Sequence, residues 1–219
     1  MPSQVTSRMR SRRNAIAVAS IIVCLIAIGR ATYVLVEWLW FSSIGYAAVF
    51  WTMLDSAGTV LGGVRAIGPL TSPDESHAVV EWAGQPSLPQ VRKMISDRLP
   101  FGVVEMKSAW VTDDRDRNRQ LTTSLARTGC QVLAVLGVQF CMATCAQHVL
   151  ERWRSSGGVV APIRSTPYPD ERYRTKMMWW DRLTVASHAA PNQTGKIVAE
   201  LADIRRRLHN TDRHAPVGS

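Results

Sequence analysis

The sequence predicts a mainly α-helical integral membrane protein: two transmembrane helices, a small mixed loop domain between them and a helical C-terminal tail. Three observations predict it. First, the apolar residues, 46% of the 219, are concentrated in two blocks. Residues 14–54 carry only Arg30 and Glu37 as charges, and residues 128–150 carry none. Second, the net charge of +9 is uneven. Five basic residues up to Arg30 meet no acid, residues 55–127 balance nine basic against nine acidic, and from Glu151 onward twelve basic outnumber seven acidic. Two basic flanks around a neutral middle suit a membrane hairpin with both flanks on the synthesis side. A nucleic-acid binder would carry its charge as a basic patch or stripe. Third, EWLWFSSIGYAAVFW at 37–51 crowds aromatic rings where the first block ends.

Each element follows in chain order. Residues 1–13 form a basic tail without acid, like the start of a signal sequence or a mitochondrial presequence. Residues 14–36 form transmembrane helix 1. At 1.5 Å per residue it is about 34 Å long, enough for roughly 30 Å of hydrocarbon. No small-residue cleavage site followed by polar residues closes this run, so it is expected to be an uncleaved signal anchor. Arg30 lies near its end and snorkels to the headgroups; the alternative is a counter-charge for Glu37, seven residues on. Residues 37–54 are an aromatic interfacial segment in which Trp38, Trp40, Tyr46 and Trp51 form a belt at the membrane–water boundary.

Within that stretch Arg30, Glu37, Trp38, Leu39, Trp40 and Phe41 are followed by Gly45, Tyr46, Val49, Phe50, Thr52, Met53 and Leu54. In order and spacing these residues resemble the N-terminus of a large uncharacterised family of multi-spanning membrane proteins from actinobacteria and cyanobacteria. The resemblance covers residues from about 12 to 54. It implies a first span followed by an interfacial loop, and it lends no activity.

Residues 55–127 form a polar loop domain punctuated by Gly and Pro. Val91, Met94, Ile95 and Leu99 are spaced for a one-sided short helix. FGVVEMKSAWV alternates as a strand, with Val103, Glu105, Lys107 and Ala109 on one face. DDRDRNR mixes both signs and reads as a solvated helix start. Residues 128–150 are expected to form transmembrane helix 2, with a buried soluble helix as the alternative. Residues 151–168 are a linker, 169–210 a helical C-terminal region and 211–219 a flexible tail.

The four cysteines, Cys24, Cys130, Cys141 and Cys145, all lie in the apolar blocks and read as buried thiols. On one helix Cys130, Cys141, Cys145 and His148 fall within about 60° of one another at 100° per residue. Such a face offers Cys141, Cys145 and His148 as candidate metal ligands. One helix rarely supplies a whole tetrahedral set, so the preferred reading is a helix-packing face of Ala134, Gly137, Cys141 and Cys145. His77, His188, His209 and His214 stand singly. No phosphate loop, serine elbow or catalytic carboxylate pair is visible. At the C-terminus Ile197, Leu201, Ile204 and Leu208 make one apolar stripe, read as a partner-docking face.

The functional expectation is a non-catalytic accessory or structural subunit of a larger membrane complex of respiratory or transport type. It is not an enzyme and has no cofactor, no resident metal and no nucleic-acid partner. Its partners are other membrane subunits and the lipid bilayer, anionic lipid included. Both termini lie on the cytoplasmic or matrix side of a bacterial plasma membrane or mitochondrial inner membrane. The alternatives are a redox or metal-binding membrane protein built on the Cys/His face, and a truncated relative of the large membrane family.

Overall fold

The computed structural model describes residues 48–54, 56–113 and 118–214, with side chains described at 51–54, 56–113 and 119–210. The basic tail, transmembrane helix 1 and the belt residues Trp38, Trp40 and Tyr46 lie outside the described residues.

The described residues form a mixed α/β fold around a six-stranded sheet of order β1-β2-β3-β4-β6-β5. The strands are β1 (Ala48–Leu54), β2 (Val60–Ile67), β3 (Val103–Val111), β4 (Phe140–Ala146), β5 (Val159–Val160) and β6 (Thr175–Asp181). Neighbours are antiparallel except β3 and β4, which run parallel. The helices are α1 (His77–Glu81), α2 (Leu88–Ser96), α3 (Asn118–Ala126), α4 (Thr128–Val135), α5 (Leu150–Arg154), α6 (Val185–His188) and α7 (Pro191–His214).

This architecture corrects the predicted fold class. Among the described residues no helix is long and apolar enough to cross a membrane. Transmembrane helix 2 is two elements: α4 ends at Val135, Gly137 turns the chain at φ +66°, and β4 begins at Phe140. Residues 128–150 look like a span because α4 is a core helix and β4 is an interior strand covered on both faces. A strand buried on both sides reads as an unbroken apolar run, which periodicity cannot separate from a helix. The same reason explains β6, which lies inside the region expected to be helical. Met177, Met178, Trp179 and Trp180 are all buried, so no polar alternation marks the strand. Residues 48–54 of the interfacial segment are β1, and Trp51 packs half-buried against the core.

One face of the sheet carries the main core: Val64, Ala66, Val104, Met106, Cys141, Ala143, Met178 and Trp180, packed with Leu125, Cys130, Leu133 and Ile197 from α3, α4 and α7. Trp180 is fully buried and donates from Nε1 to Ser156 Oγ at 3.0 Å. Two glycines let the chain approach it: a Cβ on Gly129 or on Gly158 would meet the indole at 3.0 or 2.8 Å. On the same side Arg127, buried where α3 meets α4, donates from Nε to both oxygens of Glu200 at 2.9 Å and from Nη1 to Gln193 Oε1 at 3.0 Å. That pair ties α7 to the body. On the opposite face Glu105 of β3 holds the start of α1, and Arg98 just after α2 lies over the rings of Phe140 and Trp179.

Gly157 gives a direct test of this packing. It sits at φ +95°, and an added Cβ would collide with the carbonyl oxygen of Val185. Gly157→Ala is expected to lose about 1–3 kcal/mol from backbone strain and overpacking. Gly84→Ala, also at positive φ but facing open space, is expected to lose less. Urea unfolding of the two variants measures the difference; equal losses would contradict the close approach of Gly157 to Val185.

Candidate active site

The site begins with a mismatch in strand length. β3 pairs with β4 only over Val103–Met106 against Phe140–Ala143, yet β3 runs on to Val111 and β4 to Ala146. Past that point β3 is bonded only to β2 and β4 only to β6. The cause is local. On β2, Gly63 and Arg65 pair with Trp110 and Lys107, so Ser108 and Ala109 together oppose Val64. This is a β-bulge, and Ser108 at φ +54° is the only non-glycine residue with positive φ among those described. Bulges bend the strand and raise its twist, leaving the extra residue out of the ladder. β3 therefore swings away from β4, and two interior strands present open backbone edges to each other.

On the α1 face a polar cluster occupies the apex of this opening. The buried carboxylate of Glu81 accepts at Oε1 from Lys107 Nζ at 2.5 Å and Thr144 Oγ1 at 2.9 Å, and His77 Nδ1 lies 3.0 Å away. Its Oε2 is buried without a hydrogen-bond partner. Lys107 also donates to Thr144 Oγ1 at 2.7 Å and lies 3.5 Å from Glu105 Oε1. Glu105 is fully buried and caps α1: its carboxylate accepts from the backbone N–H groups of His77 at 2.8 Å and Ala78 at 3.3 Å. Two carboxylates, one lysine and one histidine thus meet where β3 and β4 part. The segment after β5 walls this side. Trp82 Nε1 donates to Arg164 O, Thr166 Oγ1 donates to Glu81 O, and Tyr168 stands edge-on to the His77 ring at 5.7 Å.

On the opposite face the opening continues as a mainly apolar cleft of about 170 Å³. Ala109, Trp110 and Val111 end β3 on one side, Val149, Arg152 and Trp153 follow β4 on the other, and Thr122 and Leu125 of α3 form the floor.

The residues singled out in the sequence are distributed differently. Cys141 is buried in β4 and points into the main core, Cys145 lies four residues further along the strand with Sγ 3.5 Å from Met178 Sδ, and His148 is exposed after the strand. The helix that aligned them does not form, and no group of three or more potential metal ligands occurs among the described residues. Ala134 and Gly137 are likewise separated from Cys141 and Cys145 by the turn between α4 and β4. Ile197 and Leu201 pack into this chain's own core, Ile204 is partly buried beside Trp51 and Val135, and Leu208 is exposed.

Two signals for the site were present in the sequence. Glu105 and Lys107 share a strand face with Val103, and a charged pair on a face that also carries a core valine needs a partner. His77 and Glu81 are four apart, the spacing that brings helical side chains together. What no local pattern shows is that β3 delivers one pair to the other.

No family model matches the chain. It is 55% identical over 159 residues to uncharacterised proteins of Mycobacterium tuberculosis and Mycobacterium bovis, a stretch that is 72% of this chain and 60% of theirs. The chain thus spans about 60% of the length of the curated relatives it matches. A shorter stretch of 67 residues is 45% identical to a UPF0182 protein of Cupriavidus necator, but amounts to 7% of that protein. Among solved structures, FeeM, an N-acyl amino acid synthase from uncultured soil microbes, is 11% identical with a TM-score of 0.48, covering 70% of this chain and 84% of that one. BjaI, a CoA-dependent acyl-homoserine lactone synthase, is 18% identical with a TM-score of 0.43, covering 71% of this chain and 64% of that one.

These findings correct the rest of the membrane reading. The resemblance to a multi-spanning family rested on residues 12–54, whose described end, 48–54, is strand β1 of the sheet and not an interfacial loop. The accessory-subunit role, the membrane-subunit and lipid partners and the membrane location all depended on a helical hairpin. Residues 128–150 do not supply its second arm. The expectation of no enzyme is corrected with them: it rested on the same hairpin, and on finding no cluster of catalytic side chains in the linear sequence.

Burial also fixes the state of the thiols. The Cys130 thiol is pushed up to about 12 by desolvation, with Glu200 adding to the effect, and burial pushes Cys145 to about 12 and Cys141 well up. In the fold Cys130 keeps its proton at a pH where the unfolded chain has lost it. Its contribution to stability is complete below pH about 9 and declines as pH rises towards about 12. Wild type is therefore expected to lose urea stability between pH 8 and pH 10, and Cys130→Ala to lose less. An identical decline in both would contradict the assignment.

Proposed function

We propose that the chain is an acyltransferase, passing an acyl group from a thioester carrier such as an acyl-coenzyme A to an amine. The observation that carries this reading is the opening between β3 and β4 with the Glu81–Lys107–Glu105 cluster at its apex. Open strand edges bind extended chains through main-chain hydrogen bonds. An acyl carrier whose arm is long, narrow and amide-bearing fits between such edges, with the cleft beside Trp110 and Trp153 receiving its apolar stretches.

The chemistry then follows from the apex. N–H groups on the free edge of β3 at the bulge are donors for the thioester carbonyl oxygen, and stabilise the charge it gains in the tetrahedral intermediate. The amine nitrogen attacks the carbonyl carbon and Glu81 takes up the nitrogen's proton at Oε2, the oxygen free of other donors, which the bound amine or a water reaches by displacing the side chains that bury it. The C–S bond breaks, the sulfur leaves as thiolate and takes up a proton, and the amide remains. Lys107 and Thr144 hold Glu81 while this happens.

Two measurements test the reading. Calorimetry with coenzyme A is expected to show binding, and thiol release from acetyl- and longer acyl-coenzyme A is expected to depend on added amine. Glu81→Gln is expected to lower turnover by about 10²–10⁴-fold, the range for a lost general base, with thioester binding kept. Absence of both binding and amine-dependent release at millimolar thioester would overturn the proposal.

A further inference from the structure

We infer that His77 is the positioning residue that selects which oxygen of Glu81 is left free to work; this rests on the acyl-transfer reading above. Glu81 presents its two oxygens very unequally. Oε1 gathers Lys107, Thr144 and His77, whereas Oε2 has no partner. The terminal torsion of a glutamate is broad and roughly two-fold, so the carboxylate itself does not enforce that division. The donors must enforce it.

Lys107 is not a dedicated donor, because its ammonium is shared with Thr144 and with Glu105. Thr144 is engaged with the same lysine. His77 differs in being fixed at several points. Its main-chain N–H is held by Glu105 Oε2 at 2.8 Å, the next N–H by Glu105 Oε1, and its ring edge rests against Tyr168. One turn of α1 then sets Nδ1 at 3.0 Å from Glu81 Oε1. Glu105, which touches neither Glu81 nor the opening through a hydrogen bond of its own, acts by anchoring the residue that does. The charged and titratable groups around His77 are Glu81 on its own helix, Glu105 and Lys107 on β3, and Tyr168 from the segment after β5. For Nδ1 to donate, the neutral ring must carry its proton there.

The two amide substitutions separate positioning from bulk structure. In His77→Asn the amide nitrogen stands near the place of Nδ1; in His77→Gln it reaches the place of Nε2 instead. His77→Ala and His77→Gln are expected to lower kcat by about tenfold to a hundredfold with KM for the amine unchanged, while His77→Asn keeps most of the rate. Equal loss in all three, or a loss confined to KM, would overturn the inference. ¹⁵N spectra of labelled histidine test the contact without turnover: wild type is expected to show the Nδ1–H tautomer for His77, and Glu81→Gln to change it. A wild type that shows this signature but transfers no acyl group overturns the acyl-transfer reading. An Nε2–H tautomer overturns the inference about His77 whatever the activity.

Discussion

A parallel pair of strands inside an otherwise antiparallel sheet needs a matched length of backbone to stay zipped, and here the match lasts four residues. The extra residue at Ser108–Ala109 consumes the register that would have kept β3 beside β4. Everything of chemical interest follows from that release. The apex of the opening is where the last paired rung brings Met106 opposite Ala143, and the next side chains along each strand, Lys107 and Thr144, hydrogen-bond across the gap. A fully paired ladder would have left those backbone edges satisfied and the cleft beside α3 closed.

Burying charge at that point is expensive unless every group is paired, and the cluster meets the demand unevenly. Glu105 is wholly satisfied by helix N–H groups and by the nearby lysine, which is a structural use of a carboxylate. Glu81 is satisfied on one oxygen only. A buried acceptor without a partner costs about 1–3 kcal/mol. The contrast between two glutamates on one lysine is the one the proposed acyl transfer uses, with Glu105 structural and Glu81 the proposed base.

The sequence carried part of this. The strand at β3 and the short helix at α2 were legible because one face of each is apolar and the other polar, so the period shows. Of the cysteines read as buried thiols, Cys130 and Cys141 are buried and Cys145 is half-buried, while Cys24 lies outside the described residues. β4 and β6 were illegible as strands because both of their faces are covered: QFCMATCA and KMMWW carry almost no polar alternation. Two adjoining buried elements, α4 and β4, therefore merged into one apparent span of twenty-three residues. The candidate site was illegible for a different reason. Its members lie at 77, 81, 105, 107 and 144, and only sheet register brings them together.

The clamp between Arg127 and Glu200 has a consequence for the cleft. The long helix α7 is gripped along its first half by this pair, by Gln193 and by Ile197; Ile204 then lies beside Trp51 and Val135, and Leu208 beyond it is exposed. The grip is anchored at the corner between α3 and α4, where Arg127 sits. The neighbouring turns of α3 hold Thr122 and Leu125, the floor of the cleft. Seating α7 and shaping the floor of the cleft are thus one packing task, carried by α3 and its corner with α4.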